Sequence, residues 1–265
     1  MDGIKFSGAQ VLVTGGSEGI GRELVKRLTL LGAKVAATGR RRDALDRLRS
    51  DIPGVLTYQA DMAVESDRAT LAAAIQADFP NLSVVINNAG FQRRVSLADD
   101  DSHWSERQEE INALLSGPIH LNHLLIPMLL KTGLPSLIVN VTSGGAFVPQ
   151  PFAPIYSASK AGLHSYTMNL RYSLRLTNCR VVEVIPPAVG TGLGGTDEAH
   201  GVPVADFVDS VITGLSSGKD DELGFGMTDR EDVIQFRNQG RDLFESLAQR
   251  FSVVTYDVRY SGSRL

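Results

Sequence analysis

The chain has 265 residues, 43% of them hydrophobic and 21% charged, and a net charge of −4 at pH 7. Such a composition excludes a disordered or fibrous chain and allows a core without disulfide or metal staples. It also lacks the basic excess that tracks a nucleic-acid backbone. The single cysteine, Cys179, excludes an intrachain disulfide and points to a reducing compartment, with the thiol as a small buried hydrophobe.

The first ten residues lack the basic stretch and apolar run of a secretory signal. No apolar run is expected to span a bilayer, because the densest, 121–130, is broken by Asn122, His123 and Pro127. The expectation is a cytoplasmic protein with neither nucleic-acid nor membrane partners. From residue 9 onward, short β-branched runs alternate with segments of helical period, the pattern of a parallel sheet with helical crossovers. Strands are expected at 9–14, 33–39, 54–59, 82–87, 136–142, 179–185 and 223–226. The intervening helices are expected at 20–31, 42–50, 65–78, 101–130, 155–177 and 204–217. The fold class is therefore α/β: one doubly wound domain over 1–265, with a seven-stranded parallel sheet flanked by helices on both faces. A Gly-rich stretch after the sixth strand makes 190–203 a lid candidate, since ligands bind beyond the carboxyl ends of such strands. Beyond it, 228–265 forms a C-terminal extension whose apolar positions predict one amphipathic helix with a break at Gly240.

Between the first strand and helix stands Thr14-Gly15-Gly16-Ser17-Glu18-Gly19-Ile20-Gly21. Glycines there permit a tight turn and close backbone approach to a pyrophosphate at a helix N-terminus, whose partial positive charge faces the anion. The same glycines also suit a plain strand-to-helix turn, but their place after a strand and before a helix favours the dinucleotide reading. Where such a fold usually sets an acid for the adenosine ribose, this chain has Gly39 and Arg40. A carboxylate repels a 2′-phosphate and a guanidinium binds it through paired charge-assisted hydrogen bonds, so NADP(H) is favoured over NAD(H). Glu18 adds opposing charge nearby, and Arg41 and Arg42 read equally as a solvated helix start.

Tyr156 and Lys160 lie four residues apart at the start of a helix, which puts phenol and ammonium on one face. Alone, such a pair arises readily by chance. With the Gly-rich turn, Asn87-Asn88-Ala89-Gly90 after the fourth strand, Asn112 in the long helix and Ser143 after the fifth strand, it resembles the non-extended branch of the short-chain dehydrogenase/reductase family. The likeness runs from Ala9 to about Gly226. The combination of Ile185-Pro186-Pro187-Ala188-Val189 with Asn87-Asn88-Ala89-Gly90-Phe91-Gln92-Arg93-Arg94 is further similar to a bacterial subgroup of these enzymes found beside D-alanyl lipoteichoic acid genes.

The resemblance implies a Rossmann-like NADP(H)-dependent oxidoreductase that interconverts a carbonyl and an alcohol on a small molecule. Tyr156 is then the acid/base. A free phenol titrates near pH 10, and the adjacent Lys160 ammonium is expected to lower that value. Lys160 also holds the nicotinamide ribose, Ser143 donates to the substrate oxygen as charge develops, and Asn112 holds a relay water. Cofactor contacts carry over to Thr14, Gly15, Ser17, Gly19, Ile20, Gly21 and Arg40, to Asp61 and Met62 at the adenine edge, to Asn88 at the adenosine ribose, and to Val189 and Thr191 at the carboxamide. Pro187 departs from the family's Pro-Gly, which puts the shape of that turn in doubt.

Gln92, Arg93 and Arg94 read either as solvated side chains or as holders of an anionic substrate group, and Phe147, Phe152 and Val189 as a pocket wall or as core. His120 and His123 lie one turn apart without a Cys or acidic partner at ligand spacing, so no metal is expected. The alternative function is a non-catalytic NADP(H)-binding regulator on the same fold, which predicts tight binding without turnover. Epimerase and dehydratase relatives carry a longer C-terminal substrate domain than these 265 residues accommodate. Assembly as a homodimer or homotetramer is implied through the helices over 101–130 and 155–177.

Overall fold

The computed structural model describes residues 3–191, 201–251 and 253–257. Seven strands, β1 (Gln10–Val13), β2 (Lys34–Gly39), β3 (Leu56–Gln59), β4 (Leu82–Asn87), β5 (Ser136–Val141), β6 (Cys179–Val184) and β7 (Glu222–Leu223), form one parallel sheet in the order β3-β2-β1-β4-β5-β6-β7. Parallel sheets are covered on both faces, so their strands read as unbroken Val/Ile/Leu runs. Every residue of β5 is buried, and so is all of β4 except Ser83.

Helices α1 (Gly19–Leu30), α2 (Arg42–Asp51), α3 (Glu65–Asp78), α4 (Trp104–Ile111), α5 (Gly117–Lys131), α6 (Pro154–Leu174), α7 (Val204–Ser217) and α8 (Glu231–Ala248) supply the crossovers and the C-terminal extension. Alternate strand residues divide between two cores. Val11, Val13, Val35, Val139 and Val182 meet α1 and α7 through Leu24, Leu28, Phe207 and Val211. On the other face, Leu12, Val85, Ile138 and Val181 meet α3, α5 and α6 through Leu71, Leu121, Leu125 and Leu170. The sequence order reverses between β1 and β4, so a crevice opens beyond their carboxyl ends.

Three expectations need correction. The helix expected over 101–130 starts at Trp104 and changes pitch, with a π turn at Asn112–Ser116 closed by Gly117 N–H to the Asn112 carbonyl. Pro118 explains the change: it has no N–H for the Leu114 carbonyl, and its ring crowds that oxygen. The stretch Trp104–Lys131 is also long and apolar enough, by length and composition alone, to cross a membrane. Half of its most apolar window is buried, with Leu121, Leu125 and Leu129 in the core beside the sheet, as in the core helix of a globular protein. Finally, α8 runs through Gly240 without a break, because an exposed glycine costs a helix only about 1 kcal/mol.

Strand β7 is shorter than expected because the chain turns at Phe225, where the Thr228 hydroxyl donates to Ile185 O at 2.6 Å and accepts from Phe225 N–H at 3.0 Å. Cys179 is buried, and burial pushes its thiol up to about 11, which suits an inert hydrophobe. Most of the 190–203 stretch, and the extension beyond Asp257, lie outside the described residues. The flanks of that stretch meet: Gly190 N–H donates to Val202 O at 3.0 Å, and Val202 N–H to Ala188 O at 2.9 Å. Near the end of the chain, Tyr256 N–H donates to Ser173 O on α6 at 3.0 Å.

Candidate active site

The Gly-rich turn sits at the crevice between β1 and β4. Thr14, buried, accepts through its hydroxyl from the amides of Asn88 and Ala89, both at 3.0 Å, and so ties the end of β1 to the end of β4. Gly15 has φ +63°, and a Cβ on it would stand 2.7 Å from Ala89 Cα. A Cβ on Gly21 would stand 2.1 Å from Gly15 O, so α1 can approach the turn this closely only with glycine there. Gly19, φ +51°, faces the Thr191 side chain, which brings two sequence-predicted residues together from opposite ends of the fold. Ile20 packs against the core beneath.

The N-cap of α1, Glu18, makes no side-chain capping bond, and its carboxylate pairs instead with Arg41. Amides of the first turn are therefore left for an anion, and a backbone stripped of Cβ atoms leaves room for one. The residues present fit a dinucleotide pyrophosphate.

Asn88 Nδ2 donates to the carbonyls of Thr14 and Gly15, at 3.0 and 3.2 Å, so its side chain stiffens the turn. Ser17 lies beside Gly39, where a Cβ would stand 2.7 Å from its hydroxyl. Arg40 leans over the Phe91 ring, with Nη1 2.9 Å from Glu109 and 3.9 Å from Asp61. Asp61 also accepts from Ala63 N–H at 2.9 Å, and Met62 is buried with its carbonyl held by Arg68. Val189 packs on the sheet core through its side chain, and its carbonyl accepts from Thr191 N–H at 2.7 Å.

Ser143 and Tyr156 meet at the carboxyl end of β5. Both are buried, and the Ser143 hydroxyl hydrogen-bonds the phenol while accepting from Gly145 N–H at 3.1 Å. Burial holds the phenol above its usual value, the Ser143 hydrogen bond pulls it down, and the buried Glu110 pushes it up. That corrects the expectation of a phenol acidified by Lys160. The ammonium instead donates to Val141 O at 2.7 Å and sits 5.7 Å from the Tyr156 ring centroid. Burial also lowers Lys160 to about 8, with Glu183 pulling it upward. Asn112 starts the π turn and accepts from Gln108 Nε2 at 3.0 Å.

Around this centre, Gln92 donates to Gln150 at 3.1 Å and Arg94 lies 4.6 Å from the Phe152 ring centroid. Arg93 is held by Asp100, Ser102 and Glu106, with its side chain still partly exposed. Phe147 meets His164 edge to face at 4.6 Å, and His120 accepts from Arg68 at 3.1 Å. Among the described residues no group of three or more His, Cys, Asp or Glu side chains forms a metal cluster.

Sequence reasoning missed Glu110, Thr142, His164 and Glu183, which lie buried or half-buried next to Tyr156 and Lys160. For Glu183 a signal existed: a carboxylate flanked by Val181, Val182 and Val184 in a strand of the sheet needs a partner.

A profile of the short chain dehydrogenase family matches residues 9–200. The chain is 37% identical over 222 residues to the uncharacterized oxidoreductase DltE of Bacillus subtilis, covering 82% of this chain and 88% of that one. A short chain dehydrogenase from Burkholderia cenocepacia in complex with NADP superimposes with a TM-score of 0.78 at 27% identity, covering 92% and 99% of the two chains. A short chain dehydrogenase/reductase from Burkholderia phymatum in complex with NAD shares the fold, with a TM-score of 0.79 at 19% identity and coverage of 96% and 99%.

Proposed function

Because the chain belongs to the short-chain dehydrogenase family and is an oxidoreductase acting on CH–OH groups, we propose that it interconverts a carbonyl and an alcohol on a small molecule with NADP(H), using Tyr156 as acid and base. One observation carries this reading: a buried phenol, hydrogen-bonded by Ser143 and followed by a buried ammonium, lies at the carboxyl ends of the strands beside the Gly-rich turn.

The nicotinamide, when bound, supplies or takes the hydride; the chain must manage the proton and the oxygen's charge. Ser143 donates a hydrogen bond to the substrate oxygen as it becomes negative, an interaction stronger in the transition state than before it. Tyr156 gives that oxygen its proton, and Lys160 stabilises the phenolate left behind and returns a proton to it. Asn112 and Lys160 mark the route by which water restores that proton.

The turn amides from Gly15 to Gly21, with Thr14 and Ser17 shaping them, hold the pyrophosphate. Asp61 and Met62 border the adenine, Asn88 braces the turn beside the adenosine ribose, and Val189 and Thr191 close on the carboxamide. Arg40 favours NADP(H), since it stands where a ribose-binding acid would otherwise repel a 2′-phosphate. The reading extends to a cytoplasmic protein that assembles as a homodimer or homotetramer.

The test follows absorbance of NADPH and NADH with a panel of aldehydes, ketones, sugars and keto acids. Tyr156→Phe should lower turnover on an accepted substrate by roughly a hundredfold or more, with little change in nucleotide affinity. Equal turnover by wild type and variant would refute the proton assignment. Tight NADPH binding with a blank panel would favour a regulatory protein instead.

A further inference from the structure

The face of α6 toward the sheet carries titratable side chains at four-residue steps, Tyr156, Lys160 and His164, with Arg171 two turns further on. Residues at that spacing stack along one side of a helix. Opposite them stands Glu183 on β6, paired in register with Asn140 and 0% exposed. Its Oε1 accepts from the Thr142 hydroxyl at 2.6 Å, and its Oε2 lies 2.8 Å from His164 Nδ1. Thr142 sits between Val141, whose carbonyl holds the Lys160 ammonium, and Ser143. The buried carboxylate thus lies directly behind the proton-transfer pair, yet it is fully enclosed and meets no substrate.

A buried carboxylate persists only where partners compensate it. Thr142 and His164 hydrogen-bond Glu183, and its charge acts on both His164 and Lys160, the two cationic groups stacked one turn apart on α6. We propose that Glu183, held in place by Thr142 and His164, is a positioning residue that keeps Lys160 in its ammonium form. The idea deepens the proton-transfer function proposed above and rests on it.

The charges around the pair are consistent with this division. Burial draws Lys160 down to about 8 while Glu183 pulls it upward. Burial likewise lowers His164, but its hydrogen bond and charge interaction with Glu183 prevail and raise it overall. From the same helix Arg171 lowers His164, and from β7 Glu222 raises it. Glu222 is in turn engaged by Arg171 and by Arg237 of α8, both at 3.7 Å. Those two guanidiniums share Glu222, which leaves Glu183 to serve Lys160 and His164.

Lysine carrying ¹³C at Cε reports each ammonium by NMR, and Lys160→Met identifies the resonance. The titration uses the full chain without nucleotide or substrate, and wild-type Lys160 should show a midpoint near pH 8. In Glu183→Gln the midpoint should fall by roughly one pH unit, the scale of a close buried charge. Glu183→Asp keeps the charge and should restore a value near wild type.

The coupling can also be read from the opposite end if Glu183→Gln does not fold. Lys160→Met removes the competing cation, so the His164 midpoint, followed at the imidazole Cε1, should rise. An unmoved Lys160 in folded Glu183→Gln overturns the proposal, as does a fall in Glu183→Asp as large as in Glu183→Gln, or an unmoved His164 in Lys160→Met. A chain that reduces no carbonyl compound would defeat the proposed function and leave these titrations unchanged, so the two failures are distinguishable.

Discussion

Replacing Arg40 should change which nucleotide is held far more than whether one is held. Its guanidinium is half exposed and paired with Glu109 at 2.9 Å, and Asp61 lies 3.9 Å away. An exposed pair of this kind contributes about 0–1 kcal/mol, whereas hydrogen bonds to charged groups contribute about 1.5–3 kcal/mol. A 2′-phosphate, with more charge and more acceptor oxygens than Glu109, should therefore win the guanidinium if the proposed NADP(H) preference holds. Arg40→Ala should raise the Kd for NADPH roughly tenfold to a hundredfold and that for NADH by no more than about twofold. Glu109→Gln removes the competing carboxylate and should tighten NADPH binding by up to about fivefold, the equivalent of about 1 kcal/mol. Calorimetric titration of both nucleotides at low and high salt measures these constants, and the NADPH advantage should shrink as salt rises. Equal weakening of both nucleotides by Arg40→Ala, or weaker NADPH binding in Glu109→Gln, would refute the assignment.

Gly21→Ala should cost about 1–3 kcal/mol of stability and most of the nucleotide affinity, because the new Cβ would stand 2.1 Å from Gly15 O and 2.5 Å from Asn88 Nδ2. Thermal melting with and without NADPH reads both effects, and an unchanged Tm shift on adding nucleotide would contradict them. His164 is raised above its usual value, so its pairing with Glu183 stabilises the fold fully below about pH 6.5 and fades as pH rises through the raised value. The Tm of His164→Gln should therefore fall furthest below wild type under acid conditions and approach it by pH 9; a deficit that grows with pH would show the sign to be wrong.

The alternation of strand and helix was legible because a sheet covered on both faces demands continuous apolar runs, and β4 appears at the residues expected from sequence. Ends were less legible where a side chain decides them. The Thr228 hydroxyl that turns the chain after β7 comes from beyond the strand and reaches back to Ile185 O. The break in the long helix was written in Pro118, but the apolar period of the surrounding residues concealed it. At the candidate site, spacing correctly put Tyr156 and Lys160 on one face of α6. Spacing carries no information about burial depth, so it predicted an acidified phenol where the fold produces the reverse. The motif around Asn88 carries no sign that its side-chain amide braces Thr14 and Gly15, and only the fold shows it. Glu183 was overlooked because it was read as one position in a strand rather than as a charge in need of partners.

Burial acts on Tyr156 and Lys160 in opposite senses, since it penalises phenolate in one and ammonium in the other. The phenol rises above its usual value and the amine falls to about 8, so the phenol holds its proton more tightly than its neighbour. On the proposed mechanism, a proton given by Tyr156 to a substrate oxygen should be replaced from Lys160, the weaker holder of the two. Carbonyl reduction by that mechanism should depend on the protonation of Lys160 before that of Tyr156. Plotted for an accepted substrate, kcat/KM for reduction should fall as pH rises through about 8, well before a free phenol near pH 10 would begin to ionise. The same limb should move to lower pH in Glu183→Gln. A wild-type profile flat to pH 9.5 would mean that the amine is not the proton's source, and that the stacking of these groups along α6 serves structure alone.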